Sequence, residues 1–192
     1  MTLRTIVCTL ALIATTTAFA TLKAGDTAPP FSATASLNGK PFAYSLKAGL
    51  ANGPVVVYFY PSAYTDGCNI QAHEFSSKAG QFAAAGATVI GVSLDSIERL
   101  NTFSADPDYC AGKFAVASDG DGKIARSFGL RVSGAQRGVT DTRGKEIDHG
   151  FTERTTFVVK RDGTILAAVG GVSPDDNVAR ALELVRTLAK KP

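Results

Sequence analysis

Cys68 closes the stretch Pro61-Ser-Ala-Tyr-Thr65-Asp-Gly-Cys68, which lies between an apolar run and a helical one. Sites in open α/β sheets collect where strands end and helices begin, since unpaired amide donors and the positive end of the helix dipole gather there. Pro61 ends the strand, Thr65 or Asp66 can cap the helix that follows, and Cys68 falls in its first turn. A cysteine so placed is biased towards the thiolate, the form that attacks electrophiles. A lone cysteine can equally be a small buried hydrophobe. Strand, proline, cap and helix in that order favour chemistry.

The elements that must hold this cysteine read as follows. Residues 21–30, with Gly25, Pro29 and Pro30, form an irregular lead-in, and Asn38-Gly39 marks a hairpin inside Phe31–Leu46. Pro54–Tyr60 is a continuous apolar run that suits a central strand covered on both faces. Cys68 to about Ala85 has helical spacing through Phe75, Ala79 and Phe82, and Ala87–Ser93 is a second buried strand. A helix from Asp95 to about Ala105, a short strand at Phe114–Val116 and a short helix at Gly122–Phe128 come next. Residues 131–153 read as a polar loop with a hairpin. Arg154–Val159 and Thr164–Val169 are antiparallel strands joined at Arg161-Asp162-Gly163. The last helix has Ser173 as cap, Pro174 at its first position, Asp175 and Asp176 at the positive end, and an apolar stripe through Val178, Ala181, Leu182, Val185 and Leu188. This alternation predicts a three-layer α/β fold of thioredoxin-like form: a mixed central sheet, an N-terminal β-hairpin and a C-terminal helix.

The chain has 192 residues, 20 Lys+Arg against 17 Asp+Glu, a net charge of +3 and three cysteines. Residues 1–20 have the layout of a secretory signal peptide: Arg4 at the start, an apolar stretch, and Ala18-Phe19-Ala20 before the cut. That stretch is short of the roughly 20 apolar residues of a spanning helix. Residues 21–192 then form one domain, exported to the periplasm or beyond, and Cys8 and Arg4 leave with the leader. So small a charge argues against nucleic acid and anionic membrane as partners. Cys68 and Cys110 are too few for a disulfide scaffold. No zinc spacing or phosphate loop is present, and Asp119-Gly-Asp121-Gly-Lys123 fails as a calcium loop because Lys123 takes a ligand position. It reads as a turn and helix cap.

The pattern Pro-x-x-x-Thr-x-x-Cys, met by Pro61, Thr65 and Cys68, resembles the signature of the peroxiredoxins, and Arg154 in Glu-Arg-Thr-Thr-Phe157 matches their second one. The YFYP, GVSLDS, SDGDGK and RTTFVV segments are most similar to the bacterioferritin-comigratory (Q-type) branch, and the resemblance runs from about Thr27 to Ala189. It implies a cofactor-free thiol peroxidase acting on hydrogen peroxide and organic hydroperoxides, with a thiol protein as reductant. Cys68 would become a sulfenic acid. Thr65 would hydrogen-bond thiolate and peroxide, Arg154 would fix the thiolate and polarise the peroxide, and Pro61 would shield the pocket. Magnitudes divide these roles. A thiol of ordinary pKa is only about 3% thiolate at pH 7, so ionisation alone gains roughly thirtyfold. Larger gains need donors aimed at the breaking O–O bond.

Two positions depart from the family. His73 stands where many Q-type members carry a resolving cysteine, and Gln71 where Glu is common. Gln71 can still accept a hydrogen bond from an arginine but brings no charge. His73 can be a proton donor or a surface side chain, and His149 reads as a surface residue in a Gly-rich loop. Cys110, in the turn-rich Ala105–Gly112, is the remaining intramolecular resolver. It can also be a free thiol with external resolution, or half of a permanent disulfide. Tyr58, Tyr60 and Tyr64 read as core or pocket wall. The rival to an enzyme is a peroxide sensor in which oxidised Cys68 changes a partner interface. A disulfide oxidoreductase would need a second cysteine where Cys68-Asn-Ile-Gln71 has none.

Overall fold

The structure is a computed structural model and describes residues 20–190. The leader, apart from Ala20, lies outside the described residues. Strands β1 (Ser32–Leu37) and β2 (Lys40–Ser45) pair antiparallel around Asn38-Gly39. Both turn residues have positive φ, 50° and 77°, the requirement that makes Asn-Gly a hairpin signal. Strands β3 (Val55–Phe59), β4 (Thr88–Ser93) and β5 (Ala115–Ser118) run parallel to one another. Strand β6 (Thr155–Val159) is antiparallel to β3, and β7 (Ile165–Gly170) is antiparallel to β6. The single sheet has the order β2-β1-β5-β4-β3-β6-β7.

The sheet separates two cores, and the alternation of side chains along β3 shows how. Val56 and Tyr58 point to one face, with α2 (Asp66–Ala84), α3 (Ile97–Ala105) and α5 (Pro174–Ala189). Val55, Val57 and Phe59 point to the other, with α1 (Leu46–Ala51) and α4 (Lys123–Ser127). Every residue of β3 and of β6 is buried, which is why both read as continuous apolar or β-branched runs rather than alternating ones. The mixed sheet with helices on both faces is the thioredoxin-like arrangement expected.

Several local readings hold. Ser173 caps α5, its Oγ accepting from the Asp176 amide. Asp119 caps α4, accepting from the Ile124 and Ala125 amides at 3.0 and 2.8 Å. In the 131–153 loop, bridges join Val132 to Thr152 and Thr140 to Glu146. Helix α1 is absent from the sequence reading: six residues with Gly49 among them are too few to show a helical period, and only Ser45, whose Oγ accepts from the Ala48 amide, marks its start.

Helix α2 is seated by aromatic packing. Tyr58 stacks on Phe75 of α2 with centroids 4.5 Å apart, and on Tyr60 at 5.2 Å. The Tyr58 ring lies directly over Gly91 of β4, where a Cβ would fall 2.7 Å from its Cζ. The missing side chain makes room for the wall on which α2 rests.

Candidate active site

Thr65 occupies the N-cap of α2, as the sequence suggests, but its side chain makes no cap hydrogen bond. Its hydroxyl donates instead to the Ser62 carbonyl at 2.9 Å, tightening the loop between β3 and α2. The same proton is therefore not shared with the Cys68 sulfur, and the oxygen lone pairs stay open to a donor. Cys68 lies in the first turn, 1% exposed, with its own amide bonded to the Thr65 carbonyl at 2.9 Å. That amide is thus not among the unpaired donors of the helix start. Pro61 is half-buried at the head of the loop.

The group that faces the sulfur comes from the residue just before β6. Phe59, the last residue of β3, pairs with Thr155, the first of β6. Arg154 therefore sits at the carboxyl end of β3, and its Nη2 donates to Cys68 Sγ at 3.4 Å. Gly67 makes the approach possible: a Cβ there would lie 2.9 Å from Arg154 Nη2. The other guanidinium nitrogen, Nη1, donates to Gln71 Oε1 at 2.5 Å, so Gln71 accepts from the arginine as expected.

Hydrogen-bond direction then runs inward through neutral amides. Asn177 Nδ2 donates to the Val169 carbonyl at 2.8 Å, which can only accept. Asn177 must therefore turn Oδ1 the other way, where it takes hydrogen bonds from Thr156 Oγ1 at 2.5 Å and Gln71 Nε2 at 2.9 Å. Gln71 is left with only its oxygen for Arg154. Gln71 and Asn177 are both fully buried, so this chain fixes one guanidinium orientation. Asn177 and Thr156 escaped the sequence reading; the only signal was a polar residue at the edge of the α5 apolar stripe.

Cys110 belongs to the same core as Cys68, and both are free thiols. Burial pushes the Cys110 thiol well up, and the nearby Asp106 carboxylate adds to it. The permanent disulfide is not what the structure shows. His73 is exposed on α2, with Nδ1 3.0 Å from the Asp108 carbonyl. It ties α2 to the turn that carries Cys110. Tyr58, Tyr60 and Tyr64 are buried on the Cys68 face of the sheet, and no partner reaches the hydroxyls of the first two. Among the described residues no group of three or more His, Cys, Asp or Glu side chains is placed to hold a metal ion.

A family model described as the AhpC/TSA family matches residues 24–168. The chain belongs to this family, the peroxiredoxins. Peroxiredoxin Q of Sedum lineare chloroplasts is 30% identical over 171 residues, 88% of this chain and 81% of the relative. Peroxiredoxin Bcp of Bacillus subtilis (strain 168) is 30% identical over 137 residues, 71% of this chain and 80% of its own. Among solved structures, peroxidoxin BcpB from Mycobacterium tuberculosis superposes with a TM-score of 0.73 at 29% identity, covering 87% of this chain and 98% of that one. The bacterioferritin comigratory protein of Xanthomonas campestris gives 0.65 at 28%, covering 82% and 92%. This peroxiredoxin is a thiol-dependent peroxidase, acting on peroxides with a thiol reductant.

The peroxiredoxin also buries a charged support beneath its cysteine loop. Asp95 accepts from Ser62 Oγ at 2.7 Å, the Ala63 amide at 2.8 Å and Ser93 Oγ at 2.6 Å. Arg99 Nε and His149 Nε2 each stand 2.9 Å from its Oδ1. His149, read from sequence as a surface residue, is thus packed against a carboxylate far away in the chain. Burial disfavours the charged forms of both, but their hydrogen bond and attraction win: Asp95 is held below the ordinary carboxylate range and His149 is raised.

Two expectations follow from this geometry. In Gly67→Ala the new methyl displaces the Arg154 guanidinium while the helix gains a better helix former. Peroxide turnover should fall by roughly tenfold or more, as for loss of one aimed donor, with the melting temperature unchanged or higher. An unchanged rate would show that the Gly67 approach is not needed.

The second concerns pH. A raised His149 contributes stability in full below the ordinary imidazole pKa of about 6.5, and loses it as pH climbs through the raised folded value. Asp95, being lowered, keeps its contribution until pH falls through its depressed value. The melting temperature should therefore drop between pH 6 and pH 9 in the wild type, and less in His149→Gln. Equal drops in the two proteins would contradict this pairing.

Proposed function

We propose that Cys68 is the peroxidatic nucleophile, that Arg154 and Thr65 act on the peroxide with it, that Pro61 bounds the pocket, and that Cys110 is the resolving cysteine. The observation that carries this reading is the 3.4 Å contact from Arg154 Nη2 to a buried Cys68 Sγ. The Cys68 thiolate attacks the distal oxygen of the hydroperoxide. The O–O bond breaks, and its electron pair leaves on the other oxygen, which takes a proton and departs as water or alcohol. Sulfur is left as sulfenic acid. Negative charge grows on the departing oxygen, where a guanidinium already oriented by Gln71 costs no reorganisation. Thr65, with its proton given to Ser62, has lone pairs to accept the substrate O–H.

Resolution follows when the Cys110 thiolate attacks the sulfenic sulfur, forming the S–S bond and expelling hydroxide, which is protonated to water. A dithiol reductant protein then restores both thiols. Burial keeps Cys110 protonated. This step therefore requires residues 106–112 to leave the core. Hydrogen peroxide and organic hydroperoxides are the proposed substrates; the Xanthomonas campestris relative is described by its alkyl peroxide reduction activity. We place the mature domain, residues 21–192, outside the cytoplasm on the layout of residues 1–20.

Stopped-flow oxidation of wild type, Cys68→Ser, Cys110→Ser and Arg154→Lys tests these roles. Cys68→Ser should lose all peroxide reactivity, and any activity left in it removes the central assignment. Arg154→Lys should keep Cys68 alkylation near wild type while peroxidation falls by at least about tenfold, because one point charge replaces a two-pronged donor. Mass spectrometry after one equivalent of peroxide should find Cys68 linked to Cys110. A sulfenic acid persisting at Cys68 in the wild type would exclude internal resolution. N-terminal sequencing of the exported protein should begin at Thr21; a start at Met1 would refute the leader.

A further inference from the structure

Tyr64, next to the N-cap of the reactive helix, has a φ of +63°. A bulky non-glycine side chain resists that conformation, and it persists only where the surroundings over-determine it. Here they do. The Tyr64 ring meets Phe103 and Tyr109 edge-on at 4.9 and 5.5 Å, and its hydroxyl donates to Asp106 Oδ2 at 3.3 Å. The remaining restraints come from a part of the chain with no other visible task.

That part is the hairpin at residues 139–147, closed by the Thr140–Glu146 bridge and by the hydrogen bond from the Ile147 amide to the Val139 carbonyl at 2.8 Å. From its tip, the Thr142 amide and Thr142 Oγ1 both donate to the Tyr64 carbonyl, each at 2.9 Å. The Arg143 guanidinium lies over the Tyr64 ring, 3.1 Å from its centroid. The hairpin is itself stapled through Asp141, whose side chain is fully buried. Its carboxylate accepts from Arg143 Nη2 at 2.7 Å, the Lys145 amide at 3.0 Å and Arg99 Nη2 at 2.8 Å. The same Arg99 nitrogen donates to the Ala63 carbonyl at 2.8 Å. Burial would raise the Asp141 carboxyl, but the Arg143 guanidinium and these amides hold it down at about 2. The staple is therefore charged at every pH where the fold is of interest.

We propose that this hairpin is a strap for the reactive loop, with Thr142 and Arg143 as positioning residues that hold Tyr64 in its left-handed turn and so set Thr65 against Cys68. The proposal rests on the reading of Cys68 as nucleophile and Thr65 as the group that orients the peroxide. It has a distinctive consequence, because the two halves of the site are anchored separately. Cys68 and Arg154 are fixed from within α2, α5 and β7, through Gln71, Asn177 and the Val169 carbonyl. Thr65 is fixed through the loop, by its bond to Ser62 and by the strap on Tyr64. Loosening the strap lets Tyr64 relax to negative φ and swings Thr65, while the sulfur keeps its guanidinium.

The test compares wild type with Thr142→Val, Thr142→Ser and Arg143→Lys, each full-length and measured well below its melting temperature. Two rates are read: peroxidation of Cys68 by hydrogen peroxide, and its alkylation by iodoacetamide followed by mass spectrometry. Thr142→Val and Arg143→Lys should slow peroxidation by roughly tenfold or more, as a small misplacement of a reacting group does, while alkylation stays within about twofold. Thr142→Ser keeps the hydroxyl and should restore wild-type peroxidation. If peroxidation and alkylation fall together, or neither moves, the strap has no positioning role even though wild-type Cys68 reacts with peroxide. If wild-type Cys68 does not react with peroxide, the functional reading beneath the proposal is what fails.

Discussion

Cys68 and Arg154 meet because β6 runs antiparallel to β3 with Phe59 opposite Thr155. One register decides it. Slipping that pairing by a single residue would turn the side chains of β6 to the opposite faces of the sheet and carry Arg154 away from the sulfur. The register is held by burial on both faces: Phe157 and Val159 fill one core, Val158 the other. Strand β7 then returns alongside β6, pairing Thr155 with Gly170, and delivers the start of α5 to the same end of the sheet. Asn177 reaches Gln71 by that route. Every contact to the sulfur's cation depends on this edge-to-edge order.

Polarity around the sulfur is handled without a buried carboxylate on α2. A glutamate at position 71 would add a carboxylate beside Arg154. Glutamine instead passes hydrogen-bond direction from the Val169 carbonyl through Asn177 to the guanidinium. Buried polar groups are costly unless every one is paired, and here each amide has its partners. The arginine is oriented but not neutralised, so its charge stays available to the sulfur. Cys110, in the same core, has a carboxylate for a neighbour instead: burial and Asp106 both push its thiol up. Two cysteines of one core thereby meet opposite charges, Arg154 at one and Asp106 at the other.

The loop from Pro61 to Cys68 is held in two ways. Tyr64 packs on Phe103 and Tyr109, and the polar groups around it are tied through Asp95 and Asp141 with Arg99 between them. Removing one member would strand a buried charge, which makes the set cooperative rather than additive. This is a different kind of support from the aromatic seat of α2 on Tyr58 and Phe75. The helix rests on packed rings, whereas the loop rests on rings and charges together, so only the loop's support carries titrating groups such as His149.

Local physics made much of this legible in the sequence. Asn38-Gly39 named its turn, the apolar run of β3 named a doubly covered strand, and Ser173-Pro174 named the start of α5, because each signal lies within a few residues of its effect. The strand, proline, cap and helix around Cys68 marked a site for thiol chemistry on the same grounds, while peroxide as its target came from the resemblance of the Pro61, Thr65, Cys68 and Arg154 motifs to the peroxiredoxin signatures. What the sequence could not show was partnership over distance. His149 looked like a loop surface residue and pairs with Asp95; Asn177 carried no signal beyond its polarity and orients Arg154 through Gln71; Thr65, one of two candidate side-chain caps, bonds Ser62 instead. The residue types and their order singled out Cys68 as the candidate site and determined the fold class, since both signals lie among neighbours along the chain. Only the tertiary structure decided which donors face the sulfur and which charges hold its loop, since those groups meet through the sheet register and loop packing of the folded chain.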